Sequence, residues 1–93
     1  TFPLANIHEH QVAFMQAFEK QGGVAFLLIF YTGENLFYYL TLRELLVYWR
    51  RREEGGRKSF RREELDPDFF LQSRGGVMVP YMEGLQRDLD LRD

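Results

Sequence analysis

The run Val24-Ala25-Phe26-Leu27-Leu28-Ile29-Phe30 constrains this chain more than any other stretch. It is apolar throughout and does not alternate, so it has no side to offer to water. A strand of this kind belongs in the middle of a sheet covered on both faces. Thr32-Gly33-Glu34-Asn35 then reads as a turn and Leu36 to Leu40 as a second strand. A connection this short favours an antiparallel hairpin. Two strands alone make a marginal sheet. The pattern therefore predicts more sheet than these runs supply, with further strands from an absent N-terminal portion, a partner chain or the irregular stretch Phe69–Val79.

Helical signals surround the hairpin. Asn6-Ile7-His8-Glu9 has the shape of a capping box, and Ile7, Phe14, Met15 and Phe18 follow on one face. With Gln21-Gly22-Gly23 as the stop, the spacing predicts a helix from about 7 to 21. Thr41-Leu42-Arg43-Glu44 is a second capping box. Leu42, Leu45, Leu46 and Trp49 mark the buried face of a helix that ends at Gly55-Gly56. Ser59 is expected to cap a short helical turn through Leu65, closed by Pro67. Residues 67–79 are the least regular part, with Phe69, Phe70 and Leu71 packing inward. Pro80 suits the first position of a last helix, whose buried stripe would be Met82, Leu85 and Leu89. The whole, residues 1–93, reads as one α/β domain.

Composition closes several routes. Aromatics at 16% of 93 residues supply a core and exclude a disordered tail. The chain has no cysteine, which excludes disulfides, thiolate zinc sites and cysteine nucleophiles. The longest apolar run, Val24 to Tyr31, falls far short of the roughly 20 residues that span a bilayer. No secretory signal opens the chain, so a cytoplasmic protein without membrane contact is expected. The start at Thr1 fits removal of a methionine or a trimmed chain.

The net charge of −2 is an average over two unlike regions. Arg50, Arg51, Arg52, Arg57, Lys58, Arg61 and Arg62 are seven of the 12 basic residues, and only Glu53 and Glu54 oppose them in that window. A solvated helix end explains Arg50 to Arg52 but not the continuation past Gly55-Gly56. Guanidinium forks and a Gly-Gly-Arg-Lys-Ser turn suit phosphate oxygens. The turn is not a Walker A loop, because the first glycine, its spacing and the preceding strand are missing.

Gln11 lies on or beside the apolar stripe of the first helix, where it is either a satisfied structural amide or an amide oxygen facing a hard cation. His8 shares that face at i, i+3 and is placed to line a site centred on Gln11. His8 and His10 do not converge on one ion, because a helix sets them about 200° apart. Glu53/Glu54, Glu63/Glu64 and Asp66/Asp68 read as solvated acids at helix ends and turns, and no serine has a base partner for a triad.

In order and spacing, three blocks closely resemble the later half of the RecU family of Holliday-junction resolvases. They are Phe2-Pro3-Leu4-x-Asn6-x-His8-Glu9-His10-Gln11, Gly22-Gly23-Val24-Ala25-Phe26 and Trp49-x-Arg51-x-Glu53-x-x-Gly56-Arg57-Lys58-Ser59. The resemblance covers about residues 1–65 and implies a restriction-endonuclease-like core, a mixed sheet flanked by helices, here incomplete or completed by a partner. It implies a homodimer that uses Mg²⁺ to cut four-way DNA junctions, with a RecA-type recombinase as a further partner. Gln11 matches the family glutamine that helps complete the metal site. Arg57 and Lys58 match a family basic pair, and Arg51, Arg61 and Arg62 extend the expected DNA-binding strip. The family's metal-binding Asp, its Glu-x-Lys pair and its DNA-binding stalk have no counterpart in these residues, so the catalytic residues stay unassigned. A non-catalytic module that binds branched DNA or a recombinase, and a small dimeric scaffold, are the competing expectations.

Overall fold

The computed structural model describes residues 1–72 and 81–92. In chain order these form β1 (Phe2–Pro3), a 3-10 turn at Leu4–Asn6, α1 (Glu9–Lys20), β2 (Phe26–Tyr31), β3 (Leu36–Thr41) and α2 (Leu42–Glu53). There follow β4 (Ser59–Phe60), 3-10 turns at Arg62–Glu64 and Pro67–Phe69, β5 (Phe70–Gln72) and α3 (Tyr81–Arg92). The protein is thus mixed α/β, with two antiparallel sheets among the described residues, β1–β4 and β2–β3–β5. Its contacts gather into two compact units, Thr1–Phe26 with Thr41–Leu65 and Leu27–Leu40 with Asp66–Asp93.

In the first unit, β1 and β4 pair Phe2 with Phe60 and Pro3 with Ser59, and the Leu4 N–H donates to the Lys58 carbonyl at 3.0 Å. Ser59 is therefore a strand residue rather than the predicted helix cap. Pairing with the N-terminal segment satisfies its backbone, and helical geometry waits until Arg62. Phe60 is fully buried, its ring 5.1 Å from that of Phe2 and 4.6 Å from that of Tyr48.

Helix α1 begins at Glu9, later than predicted, because Leu4–Asn6 forms its own 3-10 turn and Ile7 is buried in extended backbone. Its inward face is Val12 and Met15, while Phe14 (69%) and Phe18 (43%) are exposed and stack on each other at 6.1 Å. Val12–Met15 and Phe14–Phe18 both satisfy helical spacing, so periodicity alone does not decide which pair turns inward. Helix α2 follows its sequence pattern except that Tyr48 is buried and Leu46 only half-buried. Thr41 Oγ1 accepts from the Glu44 N–H at 3.1 Å, Leu42, Leu45, Tyr48 and Trp49 are buried, and Gly55 takes the left-handed φ of 86° just past its end.

In the second unit, the strand order among the described residues is β2–β3–β5, with β3 in the middle. Among the described strands the central place expected of Val24–Phe30 falls to β3. Val24 and Ala25 precede β2, within it Ile29 alone is buried, and Phe30 is 48% exposed. The run of buried residues is Tyr38-Tyr39-Leu40-Thr41 on β3. Adjacent strand residues point to opposite faces, so both faces of β3 are covered. Tyr38 meets the Phe70 ring at 4.8 Å and its hydroxyl accepts from the Asp66 N–H at 3.0 Å. Tyr39 stacks on Phe69 at 5.5 Å. The third strand comes from the irregular stretch, with Phe69 and Leu71 buried as expected; residues 73–80, including Pro80, lie outside the described residues.

Helix α3 turns a different face inward from the one its pattern suggests. Gly84 and Asp88 are buried, whereas Met82 (61%) and Leu89 (40%) are exposed. A Cβ on Gly84 would stand 2.4 Å from Tyr39 Cδ2, so only glycine lets this ring and helix approach so closely. The fully buried Asp88 carboxylate accepts from the Tyr39 hydroxyl at 2.8 Å and from Arg92 Nε at 3.0 Å. Close approach and paired polar groups dock this helix, and neither is visible in an apolar count.

Candidate nucleic-acid interface

The basic residues of positions 50–62 all belong to the first unit, where the end of α2, the Gly55-Gly56 turn, β4 and the Arg62–Glu64 turn follow one another. Arg51 joins these pieces. Its guanidinium donates through Nη1 to Glu64 Oε1 at 2.6 Å, through Nη2 to Glu64 Oε2 at 3.3 Å, and through Nη2 to the Ser59 carbonyl at 2.8 Å. A fork-on-carboxylate pair fixes direction as well as distance. The Gly56 N–H donates to the Arg51 carbonyl at 2.8 Å. A Cβ at Gly56 would sit 2.8 Å from that carbonyl oxygen and 2.9 Å from Arg51 Cγ, so the turn closes only on glycine.

Glu64 is the acidic centre of this basic strip. Beyond the Arg51 fork it accepts the Arg61 N–H at 2.8 Å, and Arg57 Nη1 lies 4.0 Å from its Oε2. The hydrogen bonds from Arg51 and from the Arg61 backbone hold its carboxyl down at about 2. Tyr48 flanks the pair, its ring 5.2 Å from the Arg51 guanidinium and its hydroxyl bonded to Glu44. Burial first, then the hydrogen bond to Glu44, pushes the Tyr48 phenol up.

The expected DNA-binding residues thus divide. Arg51 is half-buried and committed to Glu64 and Ser59, whereas Arg57, Lys58, Arg61 and Arg62 are exposed. Arg52 packs its guanidinium 3.9 Å over the Trp49 ring. The sequence pattern marks Glu64 only as a solvated acid. Its spacing of three from Arg61, the spacing of a capping box, is the one local signal of its role.

Gln11 and His8 stand at the start of α1. His8 is the cap residue, and Gln11 Oε1 accepts the His8 N–H at 3.2 Å with both side chains exposed. Gln11 is therefore a helix-capping amide at the surface, not one on the buried stripe. A half-open cleft of about 290 Å³ between α1 and α2, lined by Glu9, Gln16, Trp49, Arg50 and Glu53 among others, includes neither residue. An amide oxygen keeps a second lone pair, so Gln11 can offer one donor to a hard cation such as Mg²⁺. Among the described residues no three His, Cys, Asp or Glu side chains converge as a metal group. These residues supply one candidate donor and do not by themselves build a divalent-cation site. No described helix is long and apolar enough to cross a membrane.

Residues 1–87 match the family described as Recombination protein U, RecU. The chain is 31% identical over 91 residues to a Holliday junction resolvase RecU of Pediococcus pentosaceus, covering 97% of this chain and 45% of that protein. It is 45% identical over 65 residues to the protein of that name from Bacillus pumilus, covering 70% of this chain and 31% of the relative. With the one from Oceanobacillus iheyensis it shares 46% over 59 residues, 63% of this chain and 30% of the other. The chain spans less than half the length of these relatives.

Proposed function

The chain belongs to the RecU family, and on that premise we propose that it serves a Holliday-junction endonuclease of recombination and repair, supplying the strip that grips DNA backbone. The observation that carries this reading is the anchored basic turn. Arg57, Lys58, Arg61 and Arg62 are exposed within six positions, on a segment held by the Arg51–Glu64 fork and the Gly56 contact. Such side chains meet phosphate oxygens without reading bases, as recognition of a junction by its shape requires.

On this reading Gln11 gives its amide oxygen to a Mg²⁺ ion whose other ligands lie outside the described residues, with His8 lining the site. The bound ion would polarise a phosphate and lower the pKa of a water. The protein would work in the cytoplasm as a homodimer with a restriction-endonuclease-like core, residues 1–93 being part of one domain, with a RecA-type recombinase as a partner. The exposed Phe14 and Phe18, on the same face of α1 as Gln11, support a larger core than the described strands provide.

The test is Mg²⁺-dependent cleavage of a four-way junction by the longest open reading frame containing this chain, beside its Gln11→Ala variant. The variant should lose at least about tenfold in rate, as metal-site changes do. Equal cleavage by both would overturn the role of Gln11. Salt-sensitive binding without cleavage would replace the nuclease with a non-catalytic binding module.

A further inference from the structure

We propose that Glu64 is a positioning residue for phosphate contact, so that removing this negative charge from the basic strip weakens DNA binding instead of strengthening it. The inference rests on the reading of the strip as a DNA-binding surface. Simple electrostatics predicts the opposite, since a carboxylate among arginines repels phosphate.

Geometry reverses the sign. Both Glu64 oxygens are in use, Oε1 on Arg51 and Oε2 on Arg51 and the Arg61 N–H. Arg51 is in turn tied to the Ser59 carbonyl and, through its own carbonyl, to Gly56. One carboxylate thus links the end of α2 to the Arg61 end of the segment that displays Arg57, Lys58 and Arg61, and through the Arg51 guanidinium to Ser59. Arg51 Nε is buried without a partner, so the guanidinium depends on its two Nη groups for compensation. An amide is no substitute at Glu64. It has one acceptor, and its NH₂ would face the donors of Arg51 or Arg61. Without Glu64 the Arg51 guanidinium and the Arg61 backbone lose their shared partner. Binding would then have to order Arg57 and Arg61 again, although pairing with β1 still holds Lys58 to Phe60.

Glu63 supplies the control. It is exposed in the same 3-10 turn, so Glu63→Gln makes the same charge change one residue away. Binding of the full chain to a fluorescent four-way junction is measured across a salt series for wild type, Glu63→Gln, Glu64→Gln and Arg51→Lys, with Arg57→Glu/Lys58→Glu as reference. Glu64→Gln should bind about fivefold more weakly, the upper range for an exposed pair, while Glu63→Gln binds as well as wild type or better. The slope of log affinity against log salt should fall by about one for Glu64→Gln and stay unchanged for Glu63→Gln. Arg51→Lys keeps the charge but loses the fork, and should behave like Glu64→Gln even where that variant folds poorly. Tighter binding by Glu64→Gln, or equal effects of the two Glu→Gln changes, would overturn the inference. If the reference double reversal leaves affinity unchanged, the DNA-binding reading fails first, and this inference falls with it.

Discussion

Glu64 shows how a single side chain takes its meaning from the fold. By local sequence it is an acid in a polar turn, yet Arg51, 13 positions away, donates two hydrogen bonds to it. Its carboxyl is depressed from an ordinary 4.5 to about 2, chiefly by the Arg51 hydrogen bond and then by that of the Arg61 backbone. A carboxyl held lower in the folded than in the unfolded state contributes stability at higher pH, lost as pH falls through the folded value. The melting-temperature difference between wild type and Glu64→Gln should therefore be constant near neutrality. It should close on acidification from about 4.5 towards about 2, as followed by circular dichroism. Asp88 was equally hidden, because its partner Tyr39 lies 49 positions away. Neither pairing follows from composition or spacing, since both are made by tertiary contact.

Among the elements, α2 was the most legible, because its cap, its terminal glycine and three of its four stripe residues agree, Tyr48 being buried where Leu46 is expected. Helices α1 and α3 were legible as helices but not in their rotation. In α1 two apolar pairs compete, and the structure buries Val12 and Met15. Met15→Ala should cost about 2–5 kcal/mol in urea unfolding. In the 93-residue chain alone Phe14→Ser should stay within about 0.5 kcal/mol, as exposed positions do, and cost more in a longer protein that covers this face. In α3 the helix propensity of alanine would favour Gly84→Ala by about 1 kcal/mol. Its Cβ would overlap the Tyr39 ring, and overpacking of this kind costs about 1–3 kcal/mol, so the variant should be destabilised in the same measurement. Strand identity was legible too, but which strand holds the middle of its sheet depends on β5, a short segment with no strong strand pattern of its own.

For the molecule as a whole, the mixed α/β class and the family were legible because the motif blocks are contiguous. The basic strip was legible because charge counts by window need no fold. The antiparallel pairing of β1 with β4 was not, since each contributes only two residues to it. The segregation of charge carries its own expectation. Arg57→Glu/Lys58→Glu should abolish most junction binding, while reversing Arg87, which lies in the other unit, should leave it unchanged in the same anisotropy titration. Wild-type affinity should fall steeply with salt, as counterion release demands.

The bond from the His8 N–H to Gln11 Oε1 has a practical consequence for spectroscopy. That amide proton is a built-in reporter of where the glutamine oxygen is. Should a cation draw the oxygen away, the His8 resonance would move upfield and exchange faster with solvent, while the α1 interior stayed protected. A Mg²⁺ titration read at this single backbone signal would follow recruitment of Gln11 without any cleavage being required.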